Sequence, residues 1–152
     1  MRVCMCEPFY KDGLRFSCQR CSSCCRFDPG IVNLSEQDLT KLLAWSALDR
    51  DRFIEAYCRW IPKGDGNEYL CLQEKSNFDC ILWDNGCIAY ENRPYQCSSY
   101  PFWTSLLTDE DWWEANAQDC PGVNKGDLHD RAEIEAHLTR RRSEPYIRRK
   151  AK

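Results

Sequence analysis

The most informative stretch of the chain is residues 18–25, which reads Cys18-Gln19-Arg20-Cys21-Ser22-Ser23-Cys24-Cys25. Two residues between successive cysteines allow the backbone to turn so that both sulfurs face one centre, with loop N–H groups directed at the thiolates. The spacing predicts that Cys18, Cys21 and Cys24 supply three ligands to one metal ion or cluster. Cys24 and Cys25 are expected to face different directions, because adjacent side chains tend to diverge. One of them therefore serves a second centre or packs as a small apolar residue.

Four further cysteines are more widely spaced: Cys80, Cys87, Cys97 and Cys120. Cys80 and Cys87 flank the turn Asp84-Asn85-Gly86, and Asn-Gly is the strongest short signal for a hairpin. Their sulfurs can share an ion if the hairpin places both side chains on one face. Cys97 belongs to a predicted short helix, and Cys120, followed by proline, is similar to the remote cysteine of ferredoxin-type clusters.

The composition predicts a thin hydrophobic core. The 152 residues include 29 Leu, Ile, Val and Phe in all, 12 Cys, 6 Trp and 7 Tyr, with a net charge of −3. Aliphatic residues this scarce accompany disorder when the net charge is high, but here the charge is low and the aromatic residues add area that can be buried. The chain should therefore fold, with cysteines adding cohesion through disulfides or metal ligation.

The compartment decides between those two roles. Residues 1–8 lack the apolar core of a secretory signal peptide. The longest apolar runs, such as residues 80–83, cover about four residues, against the roughly 18 that a membrane span needs. We therefore expect a cytoplasmic protein without membrane association, in which thiols stay reduced and bind metal in preference to forming disulfides.

Positive charge is concentrated at the C-terminal end. Residues 140–152 contain seven Arg and Lys and one Glu, a local charge of +6, which leaves −9 on residues 1–139. We predict a cysteine-cluster metal-binding domain over 1–139 and a basic tail over 140–152. A nucleic-acid partner is disfavoured because one short tail forms no groove-sized patch and the acidic body repels phosphate. A solvated helix end, with cations that complement the helix dipole, explains the tail as well.

The secondary-structure signals predict an α+β fold. Ser35 is the predicted N-cap of a helix, with an acidic residue three positions later and leucines at helical spacing. The other predicted elements are a helix over 49–58, strands over 69–73 and 78–83, a short helix from 94 and a last helix over 127–142. The expected result is a small cysteine-rich single domain of short helices and a β-hairpin, organised around one or two metal centres.

Three stretches of the chain together resemble a known family. They are residues 16–26 around the cysteine run, residues 80–103 with Tyr90-x-x-Arg93-Pro94-x-x-Cys97 and Tyr100-Pro101-Phe102-Trp103, and residues 120–126 beginning Cys120-Pro121-Gly122. They are similar to the bacterial cysteine-cluster proteins of the YkgJ type, which carry a C-x-x-C-x-x-C-C motif and are described as zinc- or iron-chelating. The resemblance covers about residues 14–127.

The resemblance implies eight metal ligands: Cys18, Cys21, Cys24, Cys25, Cys80, Cys87, Cys97 and Cys120. A structural zinc takes four ligands and so does a four-iron cluster. The set therefore serves two centres, or one cluster with additional structural thiols. All-thiolate ligation favours zinc or an iron–sulfur cluster such as 4Fe–4S over calcium, magnesium or a non-haem iron triad.

A partition into two sites follows from the loop spacing. Cys18, Cys21 and Cys24 reach one centre with Cys120 as the fourth ligand, which leaves Cys25 with Cys80, Cys87 and Cys97. Exchange within the pairs 24/25 and 97/120 stays open, because spacing does not fix direction. Four cysteines fall outside the family pattern and are not assigned as ligands: Cys4, Cys6, Cys58 and Cys71.

Other candidate groups have simpler explanations. His129, Glu133 and His137 recur every four residues and could hold an ion, but exposed polar positions on a helix explain them equally. Arg93 could bind a carboxylate or phosphate, although an ion pair with Glu91 or another acid and neutralisation of thiolate charge are favoured. Five aromatic residues could line a pocket, but they are expected to form core around the metal: Tyr100, Phe102, Trp103, Trp112 and Trp113.

Three functions are compatible with these residues. The first, which we favour, is a metal-binding protein whose zinc or iron–sulfur centre is structural or serves metal handling. The second is an iron–sulfur enzyme or electron-transfer accessory protein connected with methyl transfer, as the similar cysteine cluster of the flagellin lysine methylases implies. The third is a nucleic-acid or protein adaptor. The sequence assigns no reaction, because it contains no Ser-His-Asp set, P-loop or dinucleotide-binding glycine pattern.

Overall fold

Short helices and short antiparallel strands follow one another in the computed structural model, which describes residues 6–22, 25 and 30–152. The described residues form five α-helices and five β-strands, so the predicted α+β class is confirmed. In chain order the elements are β1 (Leu14–Phe16), α1 (Glu36–Ser46), α2 (Arg50–Tyr57), β2 (Cys58–Pro62), β3 (Asn67–Leu72), a 3-10 turn (Tyr90–Asn92), α3 (Tyr95–Ser99), α4 (Glu110–Asp119), β4 (Val123–His129), α5 (Arg131–Ser143) and β5 (Arg148–Lys150).

The chain divides into two compact units. The first unit comprises the described residues of Met1–Cys21 and Tyr100–Arg140, and the second unit those of Ser22–Ser99 and Arg141–Lys152. Each unit therefore combines stretches that are distant in sequence. This division was not predicted from the sequence.

The helices of the second unit begin at capping residues. Ser35 accepts a hydrogen bond from the Asp38 N–H, while the Asp38 carboxylate accepts one from the Ser35 N–H, which is the predicted capping box. Asp49 is the N-cap of α2, and its side chain accepts a hydrogen bond from the Arg52 N–H. Both helices thus start where the sequence predicts.

The sheet of the second unit has the order β2-β3-β5 and is antiparallel throughout. Strand β3 was predicted, whereas β2 and β5 were not. Strand β5 lies within the basic segment 140–152, where Arg149 pairs with Glu68 at 2.8 Å and lies over the Trp60 ring at 4.1 Å. Part of the expected tail is therefore a sheet strand.

The segment around Cys80 and Cys87 is less regular than predicted, and the strand predicted over 78–83 is wrong. Only single bridges occur there, between Glu74 and Cys80 and between Trp83 and Cys87. The chain does reverse at Asn85 and Gly86, which have φ values of 55° and 127°. This left-handed pair supplies the tight turn that Asn-Gly predicts.

A buried apolar cluster fills the second unit. Its buried members come from α1, α2, β2, β3 and the loops around them, and half-buried hydrophobic side chains surround them. The buried members are Leu34, Leu39, Leu42, Phe53, Cys58, Leu70, Leu72, Leu82 and Ala89.

The first unit is built on the antiparallel pair β1–β4, whose register shifts between Arg15 and Phe16. The predicted last helix begins later than expected, at Arg131, because residues 123–129 extend as β4. A second apolar cluster forms here from buried Phe102, Leu107, Trp113, Cys120, Val123 and Ile134.

The carboxylate of Asp38 joins two segments of the second unit. Asp38 is 1% exposed. Besides capping α1, it accepts a hydrogen bond of 2.8 Å from the N–H of Tyr95, the first residue of α3. The α3 helix, which carries Cys97, is thus attached to the start of α1.

Replacement of Asp38 by Ala should reduce the free energy of unfolding by about 2–4 kcal/mol, since it removes two charge-assisted hydrogen bonds and leaves the Tyr95 N–H unsatisfied. Asp51→Ala, at an exposed position in the first turn of α2, is the control and should change stability by less than about 0.5 kcal/mol. Urea unfolding measures both variants. Equal stabilities of the two would contradict this role of Asp38.

Candidate metal centre

The first two cysteines of the motif lie in a turn typical of metal-binding loops. Cys18 and Cys21 are exposed, and the N–H of Arg20 donates to Cys18 Sγ at 3.4 Å. Arg20 and Ser22 have φ values of 53° and 69°. The left-handed residues turn the backbone so that an amide faces the sulfur, as the spacing predicts. Such an amide stabilises a thiolate or metal-bound sulfur.

Cys120 belongs to the same unit and is held near the entry to this loop. The N–H of Ser17 donates to the carbonyl of Gly122 at 3.3 Å. A Cβ on Gly122 would lie 2.2 Å from the Ser17 carbonyl oxygen, so only glycine allows this approach. The pairing places the residue before Cys18 beside the Cys120-Pro121-Gly122 segment. Cys120 itself is 8% exposed.

In the second unit, Cys25 and Cys80 meet through their backbones. The N–H of Cys80 donates to the carbonyl of Cys25 at 2.7 Å. A narrow cleft beside this hydrogen bond is lined by both cysteines and by Glu74 and Phe78. The cysteine run and the predicted hairpin are therefore neighbours.

Cys80 and Cys87 are electrostatically coupled. Burial raises the pKa of the Cys80 thiol, and negative charge on Cys87 and Glu74 raises it further, whereas the N–H of Leu82 and the charge of Lys75 lower it. Two thiolates in this position oppose each other's ionisation. A divalent cation would remove that penalty, so the donor set fits zinc or iron.

Cys97 is carried by α3, whose position depends on Asp38 and Gln96. The Gln96 side chain accepts a hydrogen bond from the Asn33 N–H at 3.1 Å and donates one to the Ile31 carbonyl at 2.7 Å. Cys97 is half-buried. The helix is thus attached to the segment that follows the cysteine run.

Seven of the eight predicted ligands lie among the described residues, and they separate by unit. Among the described residues, Cys18, Cys21 and Cys120 lie in the first unit, while Cys25, Cys80, Cys87 and Cys97 lie in the second. Cys24 lies outside the described residues. Within residues 6–22, 25 and 30–152, no three Cys, His, Asp or Glu side chains are close enough together to hold a metal ion.

The two histidines of the first unit have other contacts. His129 Nε2 lies 2.9 Å from the Phe16 carbonyl oxygen, and its Nδ1 lies 3.6 Å from Glu133. His137 stacks on Phe102, and burial lowers its pKa. These contacts agree with structural roles for all three polar residues.

The other candidates mainly have structural contacts. Arg93 lies over the Tyr90 ring at 3.9 Å, and its side chain donates to the Tyr90 carbonyl at 2.7 Å. Phe102 and Trp113 are core residues, as expected, whereas Trp112 is 59% exposed.

Cys58 and Cys71, which the sequence left unassigned, are buried in the sheet of the second unit. Burial raises the pKa of Cys58 to about 12, with a smaller contribution from charge on Cys71. Burial also raises the pKa of Cys71, whose sulfur contacts Asn33 Oδ1 at 3.3 Å. Both thiols therefore remain protonated at neutral pH and act as core residues.

Sequence reasoning missed Arg59 and Glu74, which contact the segment after Cys25. Glu74 accepts a hydrogen bond from the Gly30 N–H, and Arg59 donates to the Gly30 carbonyl at 3.1 Å. No local motif marks either residue, because both contacts join segments distant in sequence.

The family model entitled "CxxCxxCC: putative zinc- or iron-chelating domain" matches residues 17–121. This range is more than half of the chain and contains all eight predicted ligands. The chain belongs to the CxxCxxCC family. The resemblance drawn from the motifs is thereby confirmed. Metal chelation is the property described for CxxCxxCC domains.

Two further results complete the comparison. This CxxCxxCC protein matches no solved structure. Every helix in the described part of the chain is too short or too polar to cross a lipid bilayer.

The raised pKa of Cys58 predicts how stability changes at alkaline pH. In the unfolded chain this thiol ionises near pH 9, but in the folded protein only near pH 12. Protonated Cys58 thus contributes stability that is complete below about pH 9 and is lost as pH rises toward 12. The free energy of unfolding should fall more steeply between pH 8.5 and about pH 11 in the reduced wild type than in Cys58→Ala. Parallel pH profiles of the two proteins in urea unfolding would contradict the shift.

Proposed function

We propose that the chain binds metal at two four-thiolate centres. Cys18, Cys21 and Cys120 would hold the first centre with Cys24. Cys25, Cys80, Cys87 and Cys97 would hold the second. The metal is zinc or an iron–sulfur cluster, and it stabilises the fold or is handled as cargo.

The observation that carries the proposal is the distribution of the cysteines over the two units. Seven of the eight assigned ligands lie among the described residues. The predicted partition assigns Cys18, Cys21 and Cys120 of the first unit to one centre, and the four described ligands of the second unit to the other. Four thiolates are the complement of one structural zinc or one four-iron cluster. Metal bound by four thiolates from separate segments would add its binding energy to folding, as in other small metal domains.

The surroundings of the sulfurs support thiolate ligation. The Arg20 N–H at Cys18 and the Leu82 N–H at Cys80 donate to sulfur. Hydrogen bonds of this kind offset part of the negative charge of a thiolate site. When bound, zinc or an iron–sulfur cluster would supply the positive charge that holds the thiolates together. The chain's own residues orient the sulfurs.

Exposure distinguishes the two centres. Two ligands of the first centre, Cys18 and Cys21, are exposed and Cys120 is buried, whereas the four ligands of the second centre are all half-buried. Exposed thiolates exchange metal with competing ligands more readily than shielded ones. The first centre is therefore the better candidate for metal handling, and the second for a structural role.

Cys21→Ser tests the first centre against Cys6→Ser, since both cysteines are exposed and Cys6 lies outside the family pattern. In protein purified without oxygen, Cys21→Ser should lose about half of the bound zinc or iron, because each of two centres takes four thiolates. Cys6→Ser should retain all of it. Elemental analysis and visible absorption near 400 nm measure the loss and distinguish iron–sulfur from zinc. Full metal content in Cys21→Ser would exclude Cys21 as a ligand.

A further inference from the structure

Gly30 in the second unit is held through both of its backbone polar groups. Its N–H donates to Glu74 Oε1, and its carbonyl accepts a hydrogen bond of 3.1 Å from Arg59 Nη2. The same Arg59 nitrogen lies 3.6 Å from Glu74 Oε2. Arg59 and Glu74 thus form an ion pair that encloses one glycine, and we call these two residues the Gly30 clamp.

The clamp is anchored on the sheet. Arg59 lies in β2, and its Nε also donates to the Leu72 carbonyl of β3 at 3.2 Å. The side chains of Glu74 and Arg59 are 15% and 35% exposed. A partly buried ion pair has a more defined geometry than an ion pair in open solvent. Its removal should therefore change the position of the backbone groups that it binds.

Glu74 is also the cross-strand neighbour of Cys80. Lys75 N–H donates to the Asp79 carbonyl and Ile81 N–H to the Gln73 carbonyl, so the Glu74–Cys80 bridge is a non-hydrogen-bonded antiparallel pair. Side chains of such a pair are adjacent on one face. The Cys80 N–H therefore points away from Glu74, and it donates to the Cys25 carbonyl at 2.7 Å.

We propose that the Gly30 clamp positions Cys25 for metal binding at the second centre. Two described residues five positions apart are then attached to the same part of the second unit: Cys25 to Cys80, and Gly30 to Glu74 and Arg59. Fixing both ends of a short segment reduces the conformational entropy that metal binding must remove. Arg59 and Glu74 are positioning residues, since the role acts through Cys25.

This inference rests on the proposed metal binding and adds residues that no cysteine motif identifies. A residue that only stabilised the sheet would change unfolding without changing metal affinity in the folded protein. The chain offers a matched comparison in the ion pair between Glu68 and Arg149. Glu68 lies on β3, is 20% exposed and pairs with Arg149 of β5 at 2.8 Å. Its cross-strand neighbour on the other side is Pro62 of β2.

The experiment compares Glu74→Ala, Glu74→Gln and Glu68→Ala in the full chain. Co²⁺ is the probe, because its thiolate charge-transfer absorption reports sulfur ligation, and competition with a chelator gives affinity. Glu74→Ala should weaken the Co²⁺ affinity of the second centre by about 10-fold or more, as loss of groups that orient metal ligands does. Glu74→Gln keeps an acceptor for the Gly30 N–H and should lie between Glu74→Ala and wild type. Glu68→Ala should stay within about 2-fold of wild type, since it touches no group that orients a ligand.

Hydrogen exchange of the metal-free protein gives a second readout. The Cys80 amide should lose protection in Glu74→Ala, because release of Gly30 loosens the Cys25 carbonyl that accepts from it, and it should keep protection in Glu68→Ala. If Glu74→Ala does not fold, Glu74→Gln provides the same comparison.

Wild-type affinity together with unchanged Cys80 protection in the Glu74 variants would overturn the clamp and leave the proposed metal binding intact. Equal loss of affinity in the Glu68 and Glu74 variants would overturn it as well, since the effect would then be one of sheet stability. Failure of wild-type protein to bind Co²⁺, Zn²⁺ or iron would instead overturn the proposed function on which the clamp rests.

Discussion

The hydrogen bond from the Cys80 N–H to the Cys25 carbonyl joins the cysteine run to the irregular hairpin of the second unit. It is available because the Glu74–Cys80 bridge leaves the polar backbone groups of Cys80 directed away from Glu74. A one-residue change of register would turn this N–H toward the neighbouring strand and move the Cys80 side chain to the other face. Both the Cys25–Cys80 juxtaposition and the coupling of Cys80 with Cys87 depend on that register.

Because the hydrophobic core of each unit is small, the arrangement of its segments depends on individual polar contacts. Aliphatic residues are few, and each unit buries its own small apolar cluster. Individual polar contacts therefore help to position the segments that carry the predicted ligands. Asp38 attaches the helix that carries Cys97 to α1, while Ser17 and Gly122 join the two cysteine segments of the first unit. Metal bound by thiolates on these segments would add its binding energy to folding.

Some of these features could be predicted from residues that lie close together in the sequence. The capping box at Ser35 and the turn at Asn85-Gly86 depend on residues close in sequence, and both occur as predicted. The amide directed at Cys18 follows from the two-residue spacing in the same way. The family and its eight cysteines were also recognisable, because the motifs are dense and specific.

Contacts between distant segments could not be predicted in this way. Strand β5 pairs with β3 although Glu68 and Arg149, which are partners in this pair, lie 81 positions apart in the sequence. The basic composition of β5 does not indicate a strand. The strand predicted over residues 78–83 is reduced to single bridges, since its apolar residues pack around a turn and not along a ladder. The contacts of Gly30 with Arg59 and Glu74 likewise arise only when the sheet brings three segments together. The identity of the metal depends on cellular supply as well as on the ligands.

X-ray absorption at the zinc and iron edges of protein purified without oxygen tests thiolate metal binding most directly. Two four-thiolate zinc centres predict a first shell of sulfur alone at about 2.3 Å with four sulfurs per metal. Four-iron clusters predict sulfur ligation with additional iron–iron scattering. A first shell of nitrogen and oxygen, or protein that carries neither metal while its cysteines are reduced, would contradict the account.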